Sequence, residues 1–97
     1  MVKRSNHKLK RACVYCGSTE NLTIDHVVPI SCWKQYRIKR RVLDNKSNRV
    51  IACQKCNQEK GKMDPKVWFE KNPHYRERFL REAKYLSDTV KKIAGLI

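Results

Sequence analysis

Acidic side chains are scarce in this chain: 9 Asp and Glu stand against 23 Lys and Arg, a formal net charge of +14 over 97 residues. A compact surface so charged repels itself unless a polyanion is near. Long apolar runs are missing too. No window approaches the roughly 18 apolar residues that a bilayer span needs, so no membrane partner is expected through a spanning helix. The first eight residues, Met1 to Lys8, are polar after Val2 and hold no apolar signal core. The expected compartment is therefore the cytoplasm, where thiols stay reduced. Length is the last shortage. A chain of 97 residues excludes two cooperating domains and any fold of barrel or doubly wound size, and it leaves a core that is small for its surface. With 40% hydrophobic and 33% charged residues, the composition is that of a folded soluble domain, neither disordered nor membranous.

What is present is clustered charge. Residues 1–11 hold five Lys and Arg and no acid, and residues 32–49 hold seven (Lys34, Arg37, Lys39, Arg40, Arg41, Lys46 and Arg49) against Asp44 alone. Phosphate neutralisation rewards such clusters, which makes nucleic acid the leading partner. An anionic membrane surface is the rival. It would want a basic face paired with exposed Trp, Phe or Leu on a lone amphipathic helix, which only the C-terminal segment approaches.

Local signals give a coarse map. Residues 1–11 read as a basic arm. Thr23–Val28 is a β-branched run ended by Pro29, and Arg49–Ala52 is a second short strand. Residues 31–47 read as a loop with a helical turn at Trp33–Ile38. A helix is expected over Gln54–Lys60 with Gly61 as its stop. Asp64-Pro65 and Asn72-Pro73 each place a capping residue before a proline at the first helical position. They predict a short helix over 65–71 and a long one over 73–94. In the long one Phe79, Ala83, Leu86, Val90 and Ile93 recur at helical period. That stripe either packs on the rest of the chain, adding a DNA-facing surface, or forms a homodimer interface.

Five cysteines fall at 13, 16, 32, 53 and 56. Cys13/Cys16 and Cys53/Cys56 form two C-x-x-C pairs, and two such turns can complete a tetrahedral site of four thiolates, which suits zinc. Disulfides, a redox pair and an iron–sulfur cluster compete. The first lacks an oxidising compartment and the second a βαβ context, while symmetric knuckles more often hold zinc than iron. Four thiolates leave no open position, so this Zn²⁺ is expected to be structural, stapling a core too small to stand alone. Cys32 reads as a reduced packing residue.

Closing the two knuckles on one zinc would bring the end of the first strand close to the start of the helix that follows Cys53. Asp25 and Asn57 would there offer oxygen ligands for a hard divalent ion such as Mg²⁺ or Mn²⁺. His26 could accept a proton from water near neutral pH. These are parts for metal-assisted phosphodiester hydrolysis. A packed His26 and a helix-capping Asn57 would use the same residues to no chemical end, and a zinc-knuckle module that binds nucleic acid without cutting it would need neither.

Cys13-x-x-Cys16-Gly17, Ile24-Asp25-His26-Val27-Val28-Pro29, Asn48-Arg49-Val50 and Cys53-x-x-Cys56-Asn57-x-x-Lys60-Gly61 occur in that order, and the set resembles the HNH endonuclease family in its four-cysteine, zinc-containing form. The resemblance covers residues 13–62. It implies a small α+β fold, a ββα-metal finger stapled by a four-cysteine zinc site, with additional C-terminal helices. The finger would occupy 12–63, after the arm at 1–11, and 64–97 would be a helical extension of the same domain. It further implies a DNA endonuclease that leaves 5′-phosphate and 3′-hydroxyl ends. In that scheme His26 is the general base, Asp25 and Asn57 hold the single catalytic Mg²⁺ or Mn²⁺, and Asn48 (with Asn45 as the other candidate) fixes the loop behind the base. Cys13, Cys16, Cys53 and Cys56 hold structural zinc. Lys34, Arg37, Lys39, Arg40, Arg41 and Lys60 would meet DNA. Asparagine at 57 stands where the family's last histidine is common. Trp33 and Tyr36 would either stack on bases or, the commoner fate, pack on the core. Small free-standing domains of this kind resemble those of phage, mobile elements and genome-packaging or restriction loci, which would place the activity in a host cytoplasm, with a packaging or restriction protein as partner. Adjacent strand residues point to opposite faces, so Asp25 and His26 are expected to need a bend or bulge to converge.

Overall fold

A computed structural model describes residues 11–97; all of the expected basic arm except Arg11 lies outside the described residues. Two strands, β1 (Leu22–His26) and β2 (Arg49–Cys53), pair antiparallel, with Leu22 opposite Cys53 and His26 opposite Arg49. Between them come a 3₁₀ turn (Ile30–Cys32), the short helix α1 (Arg40–Leu43) and a second 3₁₀ turn (Lys46–Asn48). After them follow α2 (Gln54–Lys60), α3 (Pro65–Lys71), α4 (Pro73–Glu82) and α5 (Asp88–Ile93). The fold is thus small α+β, with two antiparallel strands and five helices among the described residues, and β1, β2 and α2 form a ββα unit.

Capping explains most boundaries. Cys53 ends β2 and caps α2, its sulfur accepting from the Cys56 N–H at 3.4 Å. Gly61 ends that helix at φ +52°, a left-handed conformation open to glycine. Asp64 caps α3 through the Lys66 N–H at 2.8 Å, with Pro65 at the first helical position.

Two expectations need correction. The long helix over 73–94 is two helices, α4 and α5, joined by an extended segment over 83–87. Ser87 starts the chain afresh: its hydroxyl caps α5 by accepting from the Val90 N–H at 3.1 Å, and its own N–H donates to the Ser47 carbonyl at 3.1 Å. A side-chain cap and a bond to a distant loop replace the backbone bonds that a continuous helix would make here. The loop 31–47 has its expected turn, hydrogen-bonded over 33–37, and also holds α1. The strand expected over 23–28 runs over 22–26, and past it the Val28 N–H is taken by the Asn48 side chain.

The core lies between the knuckles and the C-terminal helices. Tyr15, inside the first knuckle, stacks on Phe79 at 5.6 Å between ring centres and meets Trp68 edge-on at 5.4 Å. The stripe residues Phe79 and Val90 are buried, and Ala83, Leu86 and Ile93 pack against the same cluster. Much of the apolar stripe is therefore covered by the core of the same chain. Trp33 and Tyr36 also pack there.

Candidate active site and metal centre

The sulfurs of Cys13, Cys16, Cys53 and Cys56 lie within 4.8 Å of one another, positioned to hold a metal ion. Cys16 Sγ stands 3.6 Å from Cys53 Sγ. That separation is far beyond the roughly 2.05 Å of a disulfide. It is close to the ~3.8 Å edge of a tetrahedron with metal–sulfur bonds of about 2.3 Å. Backbone N–H groups of Tyr15 and Cys16 point at Cys13 Sγ at 3.4 and 3.5 Å, and that of Cys56 at Cys53 Sγ, so each knuckle offers its first sulfur partial positive charge. Gly17 makes the first knuckle possible: at φ +83° any Cβ would also fall 2.7 Å from the Arg78 guanidinium carbon.

The knuckles bring β1 and α2 together, and a pocket of about 240 Å³ opens between them, lined by Asp25, His26, Pro29, Ser31 and Asn57 among others. Of the bend or bulge expected, no bulge interrupts the strand and a bend follows it at Val27 and Val28. The ladder runs unbroken from Leu22 to His26, and both residues reach the pocket because it lies at the strand's end, where the chain turns at Pro29.

Each site residue is held by a specific bond. Asp25 is buried, and its Oδ2 accepts from the Tyr15 hydroxyl at 2.6 Å and lies 3.4 Å from Lys60 Nζ. Both contacts fall on Oδ2, and no described residue bonds Oδ1. Asn57 donates through Nδ2 to the Ile24 carbonyl at 3.2 Å, which leaves its Oδ1 for another partner. His26 Nε2 is buried without a hydrogen-bond partner among the described residues, an arrangement that asks for an explanation. Burial, and next the charge of Arg49, hold the His26 pKa below its ordinary 6.5. The ring is therefore neutral, and able to accept a proton, over a wider pH range than a free histidine.

Asn48 is fully buried and entirely satisfied. Its Nδ2 donates to the carbonyls of Val28 (2.8 Å) and Leu43 (3.0 Å), and its Oδ1 accepts from the Val28 N–H (3.0 Å). It pins the backbone just after His26 and does not line the pocket. Asn45, the other candidate, caps a 3₁₀ turn through the Ser47 N–H.

Lys60 departs from expectation. It is 1% exposed, and its ammonium donates to the His26 carbonyl at 2.9 Å beside Asp25. An ammonium so enclosed braces the site and presents no charge to a phosphate on the surface. Lys34, Arg37, Lys39, Arg40 and Arg41, by contrast, are all exposed. Tyr15 was not foreseen as part of the site. Nothing in spacing marks a tyrosine between two cysteines, and only the fold aims its hydroxyl at Asp25.

The sequence pattern of the HNH endonuclease family matches residues 13–63, the knuckles and everything between them. The chain belongs to the HNH endonuclease family. In this family member the match ends just past α2, so α3, α4 and α5 lie outside it. No curated protein and no solved structure matched the chain.

Proposed function

We propose that the chain is a DNA endonuclease that hydrolyses phosphodiester bonds with one divalent cation and His26 as general base. The supporting observation is the meeting of Asp25, His26 and Asn57 at one pocket. The open oxygens, one carboxylate and one amide, form a hard donor set that fits Mg²⁺ or Mn²⁺. When bound there, such an ion supplies the positive charge that a departing 3′ oxygen needs.

The protein's own groups do the rest. His26 takes the proton of an attacking water, its ring kept neutral over a wider pH range by burial and Arg49. Lys60 and Asn48 hold the backbone at and just after His26, one at its own carbonyl and the other two residues on. Tyr15 and Lys60 fix the Asp25 carboxylate, and the Ile24 carbonyl fixes the Asn57 amide, as outer partners orient ligating groups. Structural Zn²⁺ on the four cysteines joins strand to helix. The exposed cations of residues 34–41 hold DNA by its phosphates. Hydrolysis would leave 5′-phosphate and 3′-hydroxyl ends.

Supercoiled plasmid incubated with Mg²⁺ or Mn²⁺ tests this. Nicked or linear product that DNA ligase reseals is expected. The His26→Ala variant should be slower by about two to four orders of magnitude. No product from the unaltered chain would leave a zinc-knuckle binding module as the better reading; an undiminished rate in His26→Ala would remove His26 as the base.

A further inference from the structure

A larger groove, about 580 Å³, opens between β2 and the extended segment joining α4 to α5. Its size falls among sites that hold nucleotide-sized ligands. Val50 and Leu86 contribute to an apolar floor, while Lys46, Arg49 and Lys84 set three cations on the lining against Glu82 alone. Tyr85 completes it and is 87% exposed. An aromatic side chain left so open is apolar area held in water, and covering it with a flat partner is favourable. The floor and Tyr85 ask for something flat and apolar, and the lysines and arginine ask for something anionic. An uncharged peptide strand answers the first demand only, whereas a nucleotide of the DNA substrate answers both.

One residue of the groove lies opposite a residue of the candidate active site on the strand pair. Arg49 lines it and is the ladder partner of His26. A polymer crossing the strand pair at this rung would pass from the His26 side to the groove side.

We propose that this groove receives an unpaired nucleotide of the DNA substrate, its base stacked on Tyr85 and its flanking phosphates on Lys46, Arg49 and Lys84. The preferred substrate then carries a single-stranded segment next to the cut. The proposal rests on the nuclease reading, and its test is separable from it.

Binding is measured on the full chain carrying His26→Ala, which prevents cleavage, with fluorescein-labelled duplexes that are blunt or bear a short single-stranded overhang containing 2-aminopurine. The overhang duplex should bind more tightly than the blunt one, with its 2-aminopurine fluorescence quenched by stacking. Adding Tyr85→Ala should weaken overhang binding about five- to a hundredfold, abolish the quench and leave blunt duplex binding unchanged; Tyr85→Phe should restore both. Equal binding of the two duplexes, an unquenched probe, or indifference to Tyr85→Ala would overturn the proposal. Failure of the nuclease reading would show differently, as stacking that persists in a chain whose His26 form cuts no plasmid.

Discussion

Lys60 and Asp25 form a buried ion pair, 3.4 Å between Nζ and Oδ2, with side chains 0% and 5% exposed. Burial alone would push the lysine toward its neutral form, and the nearby carboxylate opposes that. Replacing one partner leaves the other as an uncompensated buried charge. Lys60→Met is therefore expected to lower unfolding free energy by about 3–5 kcal/mol, measured by denaturant titration of the zinc-loaded protein. A surface lysine serving only to touch phosphate would leave stability almost unchanged.

The His26 ring gives a pH signature. Burial and then Arg49 lower its pKa, Asp25 and Asp44 pull it back up, and Lys60 lowers it further. Its proton should titrate by NMR with a midpoint below 6.5 when no Mg²⁺ is added, and Arg49→Gln should move that midpoint upward. Between the lowered midpoint and 6.5 the unfolded chain binds the proton more readily than the folded one. Stability should therefore rise with pH through that window. A midpoint unmoved by Arg49→Gln would show that the guanidinium does not act on this ring.

Zinc should behave as part of the fold. Elemental analysis is expected to find one Zn²⁺ per chain. A strong chelator should abolish the near-ultraviolet circular dichroism of the Tyr15–Trp68–Phe79 cluster, because metal-binding free energy in small zinc domains is folding free energy. Cys53→Ser should lose the metal. Cys32→Ser should keep it, since Cys32 is not part of the four-sulfur cluster.

Asn48→Ala would strip partners from one buried N–H and two carbonyls. Each unsatisfied group costs about 1–3 kcal/mol. The loss should thus reach several kcal/mol in a melting experiment, far above the effect of Asn45→Ala, whose single bond is exposed.

Salt should separate the basic loop from the rest. If Lys34, Arg37, Lys39, Arg40 and Arg41 meet phosphates, each alanine replacement should reduce the slope of log K against log salt by about 0.9, measured by fluorescence anisotropy on a blunt duplex. An unchanged slope would place the contacts elsewhere.

Much of this was readable in the chain itself. The C-x-x-C spacing foretold the four-sulfur cluster, since two tight turns need few residues and their sulfurs have little freedom. The helix over 54–60 followed from its glycine stop, and that over 65–71 from its aspartate and proline. Periodicity misled at 73–94. An apolar stripe records which side faces the core, and Phe79, Leu86 and Val90 do face it, but the stripe survives a break that Ser87 and the Ser47 carbonyl create. Lys60 misled for a related reason. Its place on α2 was clear, yet whether a lysine turns out to solvent or in to a carboxylate depends on Tyr15 and β1, which only tertiary packing supplies.

One consequence follows from where α2 begins. Cys53 caps it, Cys56 closes the sulfur cluster, Asn57 is the next residue and Lys60 lies one turn further. Successive residues on a helix project about 100° apart. A single step therefore separates a soft thiolate facing one way from a hard oxygen donor facing another. The helix works as a ruler with no spare notch: inserting or deleting one residue between Cys53 and Asn57 would rotate every mark after it and misalign both ends of the scale at once.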